Sequence, residues 1–273
     1  MKKTLSLFFA LIISQLIGCA SGQVVMRDRQ TNLSEFDNFS HNVFKANWNI
    51  AEEISKQDAI AWVASDSILS KLSEANLRKI DGYIANGDFN NGSVVFFDIE
   101  NNDKIKNVAT VKFMGNKLKY GLDGNEQTDS VFIYSAKALL RSREINKKYM
   151  AKQNANYNEY VVLNNGRIFI YMMPANTDRF MVMGGGIKSE FDKDRLVRNT
   201  ELHLSIIPFE ISEISDINAR SSSVTDVPNE IDIAQYLMNC KKMYNQMIRA
   251  KKYTVLFYFI PQEDRIAVTA IKN

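Results

Sequence analysis

At 273 residues, 45% hydrophobic and 24% charged, the chain has the balance of a folded protein of one large or two small domains, not of a disordered one. Its formal net charge is +3, and losing Lys2 and Lys3 with a cleaved leader takes 34 basic residues to 32 against 31 acidic ones. A surface so balanced offers no global field for nucleic acid, and two cysteines with two histidines argue against a disulfide scaffold or a structural zinc.

The first residues have the three parts of a secretory signal. Lys2 and Lys3 supply the positive end, and Leu5 to Ile17 an apolar stretch interrupted only by Ser6, Ser14 and Gln15. That stretch is shorter than the about 20 residues a spanning helix needs. It closes on Leu16-Ile17-Gly18-Cys19, which resembles the bacterial lipobox without a departure. The resemblance implies that residues 1–18 are a signal peptide cut before Cys19, and that the Cys19 sulfur carries diacylglycerol. Each buried methylene of such a lipid contributes about 0.8 kcal/mol, so acylated Cys19 would hold the chain firmly on a membrane. Two other outcomes stay open: cleavage by ordinary signal peptidase after Ala20-Ser21-Gly22, and an uncleaved N-terminal anchor. Ala20, not Asp, follows the cysteine, which by the same resemblance points to the outer membrane, facing the periplasm.

Residues 19–33 are polar and small, as a tether between lipid and domain would be. Spacing then predicts a helix through Ile54, Ile60, Val63, Ile68, Leu69 and Leu72 with Ser55 as cap, and a second over Glu74 to Ala85 ended by Gly87. Strands are predicted at Val94 to Ile99, at Val108 to Met114 after a polar loop around Asn101-Asn102-Asp103, and at Leu118 to Leu122 beyond the Gly115-Asn116 turn. Ser130 to about Lys152 reads as a basic helix. Tyr160 to Leu163 and Arg167 to Met173 flank Asn164-Asn165-Gly166, the strongest hairpin signal in the chain. Phe180 to Met183, a glycine run and two strands around Asp192-Lys193-Asp194 carry the sheet to Ile207, and a polar loop through Ser221-Ser222-Ser223 follows. Asp232 to Lys252 reads as an amphipathic helix with Tyr236, Leu237, Cys240, Met243, Tyr244 and Met247 on its apolar face. Its bases Lys241, Lys242, Arg249, Lys251 and Lys252 suit a solvated face or anionic head groups. Thr254 to Ile260 and Arg265 to Ile271 close the chain as a hairpin. The expectation is a single α+β domain over residues 34–273, mostly antiparallel sheet with about three to four packed helices.

Chemistry-bearing residues are sparse. His41 lies near the start of the first helix and His203 in a strand, and neither has a second histidine nearby. Gly184-Gly185-Gly186 lacks both the Gly-Lys-Ser/Thr ending of a P-loop and the spacing of a dinucleotide loop, so a bend between strands is expected and no nucleotide. No Gly-x-Ser-x-Gly elbow exposes a serine, and Cys240 reads as a buried core thiol, with a Cys240–His203 dyad the sharper alternative. The order of elements around Ser223-Val224-Thr225-Asp226 resembles the second part of JAB/MPN-type zinc isopeptidases, over the last half of the chain. That resemblance implies a ligand position at Asp226, but the His-x-His of the active members is missing, as no histidine lies between Ile206 and Arg220. It therefore implies a non-catalytic relative. The reading that results is a membrane-anchored envelope lipoprotein whose domain binds a protein or polymer partner, without cofactor, metal or nucleic acid. The alternatives are an envelope hydrolase built on His203 with Glu201, Asp226 or Cys240, and a membrane-surface adaptor using the basic last helix.

Overall fold

The computed structural model describes residues 31–100, 104–122, 124–177, 179–203, 205–210 and 219–273. The leader, Leu16-Ile17-Gly18-Cys19 and the loop at Asn101-Asn102-Asp103 lie outside the described residues.

Helix α1 (Asn38–Leu69) begins well before Ser55, which sits inside it; its cap is Asp37, whose Oδ1 accepts the Ser40 N–H at 2.7 Å. The reason is a stripe of Phe44, Trp48, Ala51, Ile54, Gln57, Ile60, Ala64 and Ile68 at steps of three and four, apolar except for Gln57 and buried from end to end. At 32 residues the helix runs about 48 Å, enough to serve two cores. Its second half packs on strands β2 (Gly82–Asn86), β3 (Gly92–Glu100) and β4 (Lys104–Met114), where Ile60, Ala64 and Ile68 meet Val94, Phe96, Val111 and Phe113; β5 (Lys117–Gly121) completes that antiparallel sheet. The helix predicted over Glu74 to Ala85 is corrected here. Only Glu74–Leu77 is helical (α2), and residues 82–86 pair with residues 93–97 of β3 instead.

A second antiparallel sheet has the order β10-β9-β7-β6, from β6 (Tyr157–Asn164), β7 (Arg167–Pro174), β9 (Ile187–Asp192) and β10 (Arg195–Glu201). The β6–β7 hairpin turns at Asn165 and Gly166, both at positive φ, as the Asn-Gly pair requires. Both faces of this sheet are covered, so β7 alternates between two apolar neighbours. Ile168, Ile170 and Met172 meet Ala138 and Leu139 of α3 (Ser130–Gln153), while Tyr171 and Met173 face the core shared with α1. A closed polar ring ties α3 to the sheet. Ser142 Oγ lies 2.8 Å from Ser189 Oγ, Ser189 donates to Asn199 Oδ1 at 2.7 Å, and Asn199 donates to Asn146 Oδ1 at 2.8 Å. Between β7 and β9 the chain makes β8 (Phe180–Gly184), which pairs with β11 (Ile206–Glu210).

The C-terminal sheet has the order β1-β15-β14-β13-β12, from β1 (Thr31–Asn32), β12 (Ala219–Ser222), β13 (Asn245–Arg249), β14 (Tyr253–Ile260) and β15 (Arg265–Lys272). Only β1 on β15 and β12 on β13 run parallel. Thr31 and Asn32, expected within the tether, thus belong to the folded body. Trp48 of α1 stacks on Phe257 of this sheet with centroids 6.1 Å apart, and helix α4 (Glu230–Asn239) closes the same core. The helix predicted over Asp232 to Lys252 is corrected too. It ends at Asn239, and residues 245–249 form an inner strand between β12 and β14, burying Gln246 and Ile248 in alternation. Lys241 and Lys242 lie in a turn, Arg249 ends a strand, and Lys251 and Lys252 sit in the next turn. These five bases share no helix face, and the membrane-surface adaptor loses the element it needed. The architecture is α+β, with mostly antiparallel sheets and helices packed on them.

Candidate functional site

Helix α4 is the hub of the buried polar groups. Asn229 caps it, accepting the N–H of Ile231 and Asp232 at 2.9 and 3.0 Å, while Asp232 Oδ2 accepts the Asn229 N–H at 2.9 Å in a reciprocal box. The other oxygen, Asp232 Oδ1, lies 2.7 Å from His203 Nε2. His203 Nδ1 accepts the Gly186 N–H at 3.3 Å, so the ring proton is assigned to Nε2, from which it is donated to Asp232. The glycine run is the matching surface. A Cβ on Gly186 would come within 2.6 Å of the Ile231 side chain, and Gly184 and Gly185 turn at φ +78° and +66°. Gln235 clasps that bend, donating to Gly184 O at 3.0 Å and accepting its N–H at 2.8 Å. The expected bend between strands is present, and its purpose is to let α4 approach.

The first turn of α4 also carries the acid of a part-buried ion pair with β9. Lys188 Nζ lies 2.5 Å from Glu230 Oε1, the Tyr171 hydroxyl donates to the same oxygen at 3.3 Å, and the ammonium sits 5.0 Å from the Phe169 ring centre.

The four residues singled out as catalytic candidates have separate partners. His203 is buried with both ring nitrogens engaged as above, and its carbonyl accepts the Tyr149 hydroxyl at 2.6 Å. Glu201 is exposed at the end of β10, where its charge adds to burial in raising the Tyr149 phenol. Asp226 forms an ion pair with Lys252 at 2.7 Å, while Ser223 turns to Thr225 and Asn229. Cys240 Sγ donates to Leu237 O at 3.4 Å, and burial pushes its thiol up to about 11, far from a reactive thiolate. His41 is exposed in the first turn of α1.

A site the sequence did not announce lies where α1, β6, β7, β8 and α4 meet. Asp58 and Trp62, one turn apart on α1, line a small cleft of about 40 Å³ with Tyr160, Met173, Val182 and Met238. Tyr160 donates its hydroxyl to Asp58 Oδ1 at 2.7 Å, yet burial still raises the Asp58 carboxyl to about 6. Burial and the neighbouring Asp58 charge raise the Tyr160 and Tyr83 phenols in turn. Trp62 keeps 56% of its surface exposed, unusual for the largest aromatic side chain on a helix that packs two cores. The amides alongside are locked: Asn239 donates to Gln235 O at 2.7 Å, Asn176 to Asn239 Oδ1 at 2.9 Å, and Val182 N–H to Asn176 Oδ1 at 2.9 Å. They make a rigid polar wall. A roomier cleft of about 320 Å³ beside β3 and β4 mixes charges of both signs, with Lys71, Lys79 and Lys106 among Asp98 and Glu100 and a Lys106–Glu100 pair at 2.7 Å. The only sequence signal for Asp58 and Trp62 was their i, i+4 spacing, which gave no hint of a tyrosine 102 residues away.

No protein-family model matches the chain, and no curated protein matches it. Among the described residues no helix is long and apolar enough to cross a membrane, and no three His, Cys, Asp or Glu side chains gather as metal ligands would.

Proposed function

We propose that this chain is a lipid-anchored protein of the bacterial envelope, held in the outer membrane through acylated Cys19, whose domain binds an envelope protein or polymer without cleaving it. The observation that carries the anchor is Leu16-Ile17-Gly18-Cys19 directly after an apolar core and two lysines. Eleven residues separate Cys19 from Thr31, a reach of about 40 Å if extended, which would let the body stand clear of the head groups. Binding is favoured over hydrolysis because the basic nitrogen of the buried His203, Nδ1, already accepts the Gly186 N–H and faces backbone in place of a substrate. The cleft at Asp58 offers the exposed aromatic and rigid polar wall that a binding site needs. The likeness of Ser223 to Asp226 to the JAB/MPN-type motif fits the same reading, with Asp226 engaged by Lys252.

Feeding labelled palmitate to cells that express the full chain tests the anchor. The native chain takes up label and leaves the membrane only in detergent, and Cys19→Ser takes up none. Label on neither chain, with the native protein in the aqueous fraction, overturns the proposal.

A further inference from the structure

We propose that the cleft between α1, β6–β8 and α4 receives a primary alkylammonium group, the lysine-type tip of a partner chain, with Asp58 as its counter-ion and Trp62 as its aromatic wall. This deepens the binding reading above and rests on it only in taking the cleft as the contact site.

Charge comes first. Among the described residues that line the cleft, Asp58 is the one carboxylic acid, and no Lys, Arg or His is among them. Its Oδ1 is held by Tyr160 from β6, and among the described residues no side chain donates to its second oxygen. The other titratable neighbour is Tyr83 on β2, and beyond it Arg143 is already engaged by Glu159, with Arg143 Nε 2.5 Å from Glu159 Oε1. A carboxyl raised to about 6 is nonetheless ionised at neutral pH, so the cleft then holds a half-buried carboxylate whose one hydrogen-bond donor, Tyr160, is uncharged. The fold supplies an anion and leaves its cation to come from outside.

Size and wall chemistry narrow the ligand. About 40 Å³ exceeds the about 10–15 Å³ that one water needs and falls far below the about 300 Å³ at which whole-ligand pockets begin. It accommodates the tip of a side chain, not a sugar ring or a base. Met173, Val182 and Met238 form apolar walls suited to methylenes, as a lysine stem presents below its charged end. Trp62, exposed beside them, is the aromatic best suited to face an ammonium. The carboxylate and the indole suit a charged end, the apolar walls suit its stem, and the locked amides of Asn176, Gln235 and Asn239 complete the lining.

The test uses the full chain purified in a non-ionic detergent at neutral pH and low salt. Three probes are titrated: Nα-acetyl-lysine amide, Nα-acetyl-norleucine amide and Nα-acetyl-arginine amide. Trp62 reports, because the chain has two tryptophans and Trp48 is only 1% exposed. The expected result is a saturable change in emission with the lysine probe, and about tenfold weaker binding or none with the uncharged norleucine probe and in Asp58→Asn. Asp58→Asn keeps the oxygen that Tyr160 bonds, and its melting curve confirms that it is folded. No saturable response to the lysine probe, or an equal response in folded Asp58→Asn, overturns the proposal; tighter binding of the arginine probe overturns the assignment to an alkylammonium. Palmitate labelling is independent of this outcome, so loss of the ligand and loss of the anchor are told apart.

Discussion

Replacing Asp232 by Asn removes one acceptor from a place where both carboxylate oxygens are in use. Oδ2 takes the Asn229 N–H at 2.9 Å and Oδ1 the His203 Nε2–H at 2.7 Å, with Asp232 2% and His203 5% exposed. An amide has one oxygen, so its NH₂ must face either the backbone donor or the ring donor. If His203 changes tautomer to accept from that NH₂, its proton moves to Nδ1 and meets the Gly186 N–H that Nδ1 accepts in the native fold. The donor–donor collision moves and does not disappear. A hydrogen bond to a charged group contributes about 1.5–3 kcal/mol, and a stranded buried donor costs about 1–3 kcal/mol; the two overlap here, giving about 3 kcal/mol. In a domain of this size that lowers Tm by about 6–12 °C. The control is Asp226→Asn, whose ion pair with Lys252 is half exposed at 45% and 52%, and which should cost about 0–1 kcal/mol. Melting of both variants beside the native chain, in the same detergent, decides the matter. If Asp232→Asn melts together with Asp226→Asn and the native protein, the reasoning about the stranded donor is refuted.

Asp58 makes a prediction about pH. Its carboxyl titrates near 6 in the fold against 3.8 in the unfolded chain, so the native state holds more protons in between and stability falls as pH rises through that window. A gap of about two pH units at about 1.4 kcal/mol each gives about 3 kcal/mol. Asp58→Asn should therefore be more stable than the native chain at neutral pH by up to about 3 kcal/mol, and equal to it below about pH 4, in urea unfolding; equal stability at both ends contradicts this. Lys188→Met strands the Glu230 carboxylate and should cost about 2–3 kcal/mol, less than a fully buried pair because Lys188 is a quarter exposed, and adding Glu230→Gln should recover most of the loss. A single variant within about 0.5 kcal/mol of native would show the pair to be idle. Ser189→Ala opens the polar ring between α3 and the second sheet and should cost about 1–2 kcal/mol by the same measurement, with no change contradicting a closed network.

Local chemistry made the turns readable and tertiary pairing hid the rest. The hairpins at Asn164-Asn165-Gly166 and Gly115-Asn116 and the terminal hairpin stand where their sequences place them, because the backbone of such turns is set by the turn residues themselves. Residues 82–86 and 245–249 carry apolar side chains at spacings that a helix shares, through Ile80 with Ile84 and Met243 with Met247. Both segments become strands only because residues 93–97 and 254–258 lie ready to pair with them. The start of α1 was missed for the converse reason, since its buried stripe is diluted by Asn, His and Lys on the solvent side. His203 was visible as an isolated histidine, but its partner Asp232 is 29 residues further on and stood out only as the start of an apolar run. Asp58 with Tyr160 was invisible for the same reason, because one sequence shows spacing along the chain and not convergence across it.

The most direct measurement is the intact mass of the chain extracted from the membranes of its native host. A mass equal to residues 19–273 plus one diacylglyceryl group, with or without a further acyl chain, is the predicted result. A chain beginning downstream of Cys19, or one still carrying residues 1–18, contradicts it.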